Sequence, residues 1–234
     1  MTRLLHLLGG GAAQGLVSAL KDDFQAQHGC AIDAIFGAVG MMKDRLLAGK
    51  ACDVLILTDA LIAQLAASGD AVPASARTLG RVKTGIACKE GDTPARLDSP
   101  AALEAALRAA SGIYFPDPVK ATAGVHFMGV LKRLGLDEEL ADRLHPHANG
   151  AAAMKAMASA AGTGLLGCTQ ESEILYAPGV RLVAPLPVEF ELATRYTAAV
   201  ASRAAQPEAA RTLIELLAGT EMAALRLACG FENG

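Results

Sequence analysis

Four short segments place small, uncharged residues where a strand is expected to give way to a helix: Gly9-Gly10-Gly11-Ala12, Gly37-Ala38-Val39-Gly40, Thr122-Ala123-Gly124 and Asn149-Gly150-Ala151. Such turns expose main-chain N–H groups at the positive end of a helix dipole, so they can hold an anion without a cationic side chain. Small residues also let the backbone come close to a ligand. Any one of these turns is adequately explained by tight packing, but four of them in a single chain point to anion binding. Gly10, Gly11, Ala12, Ala38, Val39, Gly40, Thr122, Ala123, Asn149 and Gly150 are therefore candidate ligand contacts.

Arg81, Lys83 and Thr84 fall on one strand, whose alternation sends Arg81 and Lys83 to one face and Thr84 to the other. Arg81 reads equally as a bidentate clamp on a carboxylate and as an ordinary solvent-facing cation. Arg195 and Tyr196 carry the same ambiguity. Thr169 and Gln170 read as helix caps at a turn where a cap can also touch ligand.

Other chemistries are poorly supported. Gly9 and Gly11 begin a dinucleotide fingerprint, but Gln14 stands where its third glycine belongs and no acidic residue ends the second strand. G-x-S-x-G, H-E-x-x-H, Walker and C-x-x-C motifs are all missing. His145-Pro146-His147 reads as a surface loop rather than a metal site, and no cofactor is expected.

The elements that must position these turns follow from the apolar pattern. The chain has 234 residues, of which 52% are hydrophobic and 19% charged, which suits helices packed on a buried parallel sheet. With 21 Lys and Arg against 24 Asp and Glu, its net charge is −3, and no basic run interleaves with aromatics, so nucleic acid is not an expected partner. Membrane insertion is not expected either, because apolar runs break well short of the ~20 residues a spanning helix needs.

Cys30, Cys52, Cys88, Cys168 and Cys229 read as buried free thiols. Leu4 to Leu8 reads as a strand, not as part of a signal peptide. As written the chain is expected in the cytoplasm; removal of a leader would instead make it periplasmic.

Strands are expected at Leu4 to Leu8, Cys30 to Phe36, Asp53 to Leu57, Arg81 to Cys88, Gly112 to Phe115, Gly164 to Cys168 and Val180 to Pro185. Glu191 to Ala201 would bring the chain back. Thr58, Ser99, Thr122 and Asn149 are expected helix caps, and helices from Pro207 and Thr220 close the chain on the first lobe.

In this order, the segments resemble the molybdate-binding proteins of bacterial ABC importers, which have the type 2 periplasmic-binding-protein fold. The likeness spans nearly the whole chain. It rests on Leu7 to Leu20, Phe36 to Gly40, Cys52 to Ile56, Asp117-Pro118 through Gly124, Asn149 onward and Leu216 to Phe231. It implies an α/β fold of two lobes, each a mostly parallel sheet flanked by helices and joined by two hinge strands. The lobes are expected at residues 1–82 with 187–234 and at residues 83–186, gripping a small anion in the cleft.

The resemblance also implies two serines, backbone donors and a tyrosine around a tetrahedral oxyanion. The serine positions fall at Gly11 and at Ala38 or Val39, the tyrosine position falls near Gly167 or Cys168, and Ala123 and Gly150 match the backbone donors. The missing hydroxyls favour a di- or tricarboxylate over molybdate. An ABC-transporter permease would be the partner of an exported form.

Proteins similar to this group include aconitate isomerases, so the rival reading is a cytoplasmic polycarboxylate isomerase working by an allylic proton shift. Glu171, Asp117, His126 and Tyr114 lie near the right loops to act as its base, although each reads more simply as a cap, turn residue or packed ring.

Overall fold

Leu4-Leu5-His6-Leu7-Leu8 is too apolar for a strand with one wet face and must be covered on both sides. In the computed structural model, which describes residues 3–233, it lies in β1 (Arg3–Gly10), with Leu5, Leu7 and Leu8 buried. One turn of 3-10 helix leads into α1 (Gln14–His28), which buries Leu16, Val17, Leu20 and Phe24 at helical spacing. It ends on Gly29 at φ 60°, a left-handed conformation that costs glycine little.

The same rhythm gives β2 (Cys30–Gly37), α2 (Val39–Leu47), β3 (Val54–Thr58) and α3 (Asp59–Ala67). Thr58 Oγ1 caps α3 by accepting the Leu61 N–H at 3.4 Å. β1 is central and runs parallel to both neighbours, with Leu7 opposite Ala34 on one side and Val54 on the other. Helical crossovers require this parallel pairing.

The long β4 (Arg77–Lys89) carries the chain out of this first unit, which comprises Met1–Val82 and Thr194–Gly234, into a second, Lys83–Ala193. There α4 (Pro100–Ala109) begins with Ser99 Oγ accepting the Ala102 N–H at 3.2 Å and Pro100 in its first turn. β5 (Gly112–Pro116), α5 (Thr122–Arg133), β6 (Leu144–His147), α6 (Gly150–Ser159), β7 (Leu165–Gln170) and α7 (Glu171–Tyr176) follow. β5 is parallel to β6 and β7, whereas the second half of β4 pairs antiparallel with β7 and with β8 (Val180–Pro185). Ile86, Leu103, Phe115, Phe127 and Leu131 fill the core of this unit.

Residues 187–193 lie with the second unit, where Phe190 joins that core. β9 (Ala193–Val200) returns the chain to the first unit and pairs antiparallel with β3. α8 (Pro207–Ala218) buries Ala210, Leu213, Ile214 and Leu217 in the first core, and α9 (Ala223–Ala228) completes the unit.

Three local expectations need correction. Thr122 does not cap α5: Ala121 takes the cap position without a side-chain bond, and Thr122 is already helical. Thr169 and Gln170 do not cap α7 through their side chains; β7 runs on through both, and the Thr169 hydroxyl bonds elsewhere. His145-Pro146-His147 is part of an edge strand, where proline costs only an outward-facing N–H, and Tyr114 stacks on both histidine rings at 4.7 and 5.8 Å.

Candidate functional site

In the first unit β1, β2 and β3 all end at one edge, where the register sets Gly10 beside Gly37. The turns 10–12 and 38–40 are therefore neighbours. Ala12, Ala38 and Val39 are buried, and Gly11 and Gly40 half-buried. No side chain caps α2, whose first N–H groups remain available to an acceptor. A side chain at position 10 would run into Val39 Cγ1 and approach Tyr196 Cε1. Tyr196 is buried beside Thr58 at this edge, whereas Arg195 is exposed.

In the second unit the parallel strands β5, β6 and β7 likewise bring Pro116, His147 and Gln170 to one edge. α5 starts there with no side-chain cap. Ala123 and Gly124 are buried there, and a Cβ at Gly124 would fall on the Pro116 and Asp117 carbonyl oxygens, so no larger residue fits at 124. The start of α6 is different. Asn149 Oδ1 accepts the Ala152 N–H at 2.9 Å, as its sequence position predicts, and the Ala151 N–H bonds to the carboxylate of Glu173.

Glu173 was not anticipated. It sits in the first turn of α7, 7% exposed, and bonds the Thr169 hydroxyl at 2.5 Å as well as the N–H groups of Gln170 and Ala151. Burial pushes its pKa up, while these three donors pull the other way. A Cβ at Gly150 would fall on Glu173 Oε2 and Thr169 Oγ1, so glycine is required there. The available signal was a threonine and a glutamate four residues apart around a helix start, in an otherwise apolar stretch.

Among the described residues, several buried donors have no protein acceptor. In the second unit these are Thr84 Oγ1, on a strand position paired with Gln170, and Ser172 Oγ. In the first unit Arg81 Nε is buried without a partner, although the Arg81 main chain is fixed by reciprocal 2.8 Å bonds with Glu232. Buried polar groups are rarely left unsatisfied except where a ligand or water completes them. Lys83, by contrast, lies 3.7 Å from Glu191.

The candidate bases are otherwise engaged. His126 Nε2 donates to the Phe190 carbonyl at 2.7 Å, and Asp117 Oδ1 accepts the Val119 and Lys120 N–H groups, which hold its pKa below the usual carboxylate range. Glu171 is buried in the first turn of α7, and Tyr114 is stacked between histidines. Nor is there open space where the resemblance implies a tyrosine. Met154 and Met157 fill the position that a side chain at Gly167 would need, and Cys168 is fully buried.

Among the described residues, no group of three His, Cys, Asp or Glu side chains could hold a metal ion, and no helix is long and apolar enough to cross a membrane.

Two α/β units, each gathering helix N-termini at the carboxyl edge of its parallel strands, make up a fold of the two-lobed periplasmic-binding-protein type. The chain belongs to the bacterial extracellular solute-binding protein family, whose pattern matches residues 5–232.

Among solved structures it is similar to the periplasmic molybdate-binding protein of Azotobacter vinelandii, with a TM-score of 0.80 and 20% identity over 98% of this chain and 99% of that one. It is also similar to a sulfate-binding protein of Mycobacterium tuberculosis, with a TM-score of 0.67 and 15% identity over 99% and 87%. A distant relative by sequence is an aconitate isomerase from a Pseudomonas species, 26% identical over 228 residues, which are 94% of this chain and 84% of that protein.

Proposed function

We propose that this solute-binding protein takes a small organic anion, a carboxylate in preference to molybdate, on main-chain N–H groups at its strand-to-helix turns. The observation that carries this reading is the buried Arg81 Nε with no protein acceptor. A guanidinium cannot give up its charge, and its planar fork matches a carboxylate. The hydroxyls that a compact oxyanion would use are replaced by Gly11, by Ala38 or Val39, and by Gly167 or Cys168.

The buried free thiols favour a cytoplasmic location. A leader upstream of Met1 would place the protein in the periplasm, with an ABC-transporter permease as its partner.

The test is a thermal-shift panel of molybdate, tungstate, sulfate, citrate and aconitate. A ligand present at 100 times its Kd adds about 2.7 kcal/mol to the stability of the folded state. Citrate or aconitate should raise Tm. Stabilisation by molybdate and tungstate alone would defeat the carboxylate reading.

A second reading, isomerisation of a polycarboxylate, is favoured by the likeness to the Pseudomonas aconitate isomerase. Proton NMR of aconitate incubated with the protein separates the two. Isomer exchange supports catalysis, and an unchanged spectrum despite binding removes it.

A further inference from the structure

An α-helix leaves its first N–H groups without internal partners, and anions are drawn to them. At α6 those groups are Gly150, Ala151 and Ala152. Ala152 is held by Asn149 Oδ1 and Ala151 by the Glu173 carboxylate, so two of the three are already satisfied by the chain itself. Glu173 is also locked by the Thr169 hydroxyl at 2.5 Å, and the packing leaves no room for even a methyl group at residue 150. The chain thus fills with its own carboxylate the place where an external anion would sit.

We propose that Glu173 is a specificity-determining residue: a resident anion at the start of α6 that bars compact oxyanions from this turn and admits organic anions whose charge lies elsewhere. This rests on the anion-binding reading above and sharpens it. A tetrahedral oxyanion is charged on every side and needs donors all round. A polycarboxylate can place an uncharged carbon or hydroxyl near Glu173 and its charges on other donors. Unlike charges attract and like charges repel most strongly where water is excluded, so one buried carboxylate suffices for the choice.

The experiment is isothermal titration of the full chain and of Glu173→Gln with sodium molybdate, sulfate, citrate and cis-aconitate. Glutamine keeps an acceptor for the N–H groups and removes the charge. The wild type should bind citrate or aconitate and not the two oxyanions, and the variant should raise the molybdate-to-citrate affinity ratio by about tenfold or more.

An unchanged ratio in a folded variant overturns the role of Glu173 while leaving anion binding intact, as does wild-type protein that binds molybdate as tightly as citrate. Failure of the wild type to bind any of the four overturns the underlying reading and this inference with it. If Glu173→Gln does not fold, Glu173→Ala serves, since it too removes the carboxylate from the start of α6. The ratio should then move in the same direction, and an unmoved ratio rejects the proposal.

Discussion

The Gln206 N–H donates to Asp53 Oδ1 at 2.8 Å, joining two residues 153 positions apart. The other carboxylate oxygen accepts the His6 N–H, also at 2.8 Å, so one buried side chain ties β1 and the start of β3 to the turn before α8. Asp53→Ala would strand both donors. Each unsatisfied donor costs about 1–3 kcal/mol, so urea denaturation should show a loss of about 2–6 kcal/mol. Asp53→Asn, which retains one acceptor, should lose about half as much.

Two glycines should respond in opposite ways to alanine. At Gly150 the added methyl meets Glu173 and Thr169, and overpacking of this kind costs about 1–3 kcal/mol. At Gly129, inside α5, a Cβ meets nothing within 4 Å. Gly129→Ala should therefore stabilise the protein by about 0.5–1 kcal/mol through helix propensity. The two Tm shifts should differ in sign, and equal shifts would mean that the Gly150 contact is not tight.

Strand-and-helix order was legible in the sequence because each element carries its own period and punctuation. Leu16, Val17, Leu20 and Phe24 mark one face of α1, Gly29 ends it, and Thr58, Ser99 and Asn149 cap as their types require. Features that depend on residues distant in sequence were not legible. Arg226 is buried and donates to the Leu217 and Gly219 carbonyls at 2.8 and 2.7 Å, closing the end of α8, and no local pattern around it marks that role. Thr169 reads as a cap because its type suits one, but the sheet extends far enough to make it a strand residue whose hydroxyl reaches Glu173. The helix start at Asn149 and Gly150 was legible from the residue types, and Asn149 caps it. No local pattern showed that the chain supplies an anion there itself.

Stability should fall with rising pH through Glu173. Burial raises its pKa above the usual glutamate value, so over that interval the folded chain keeps a proton that the unfolded chain has lost. The native advantage is complete below the usual value and disappears as pH climbs through the raised one. Asp98 and Asp117 have lowered pKa values and act in the opposite sense, losing stability as pH falls. Comparing wild type with Glu173→Gln between about pH 4 and pH 8 cancels both of them. The difference between the two curves should be pH-dependent; parallel curves would show that Glu173 does not titrate there.

Native thiol reactivity should be confined to one cysteine. Cys30, Cys52, Cys88 and Cys168 are buried, whereas Cys229 is only partly covered. Burial pushes the Cys52 thiol up to about 12 and the Cys168 thiol well above its usual range, so neither supplies the reactive thiolate near neutrality. A chromogenic disulfide reagent should titrate one thiol in the folded protein, lost in Cys229→Ser, and the other four only after denaturation.

Arg81 offers the most direct test of ligand class. Its main chain is held by Glu232 on both its N–H and its carbonyl, so a change of side chain leaves the backbone in place. Arg81→Lys keeps the positive charge but replaces a planar set of donors with a single ammonium, and removes the buried Nε that has no acceptor in the protein. If that Nε meets a ligand carboxylate, the loss of one charged hydrogen bond is worth about 1.5–3 kcal/mol, or about tenfold to hundredfold in Kd. Titration should therefore show citrate or aconitate bound more weakly by that factor, with the Tm of the unliganded protein nearly unchanged. Equal affinities in the two proteins would mean that Arg81 does not contact the ligand, and the preference for a carboxylate would lose its main support.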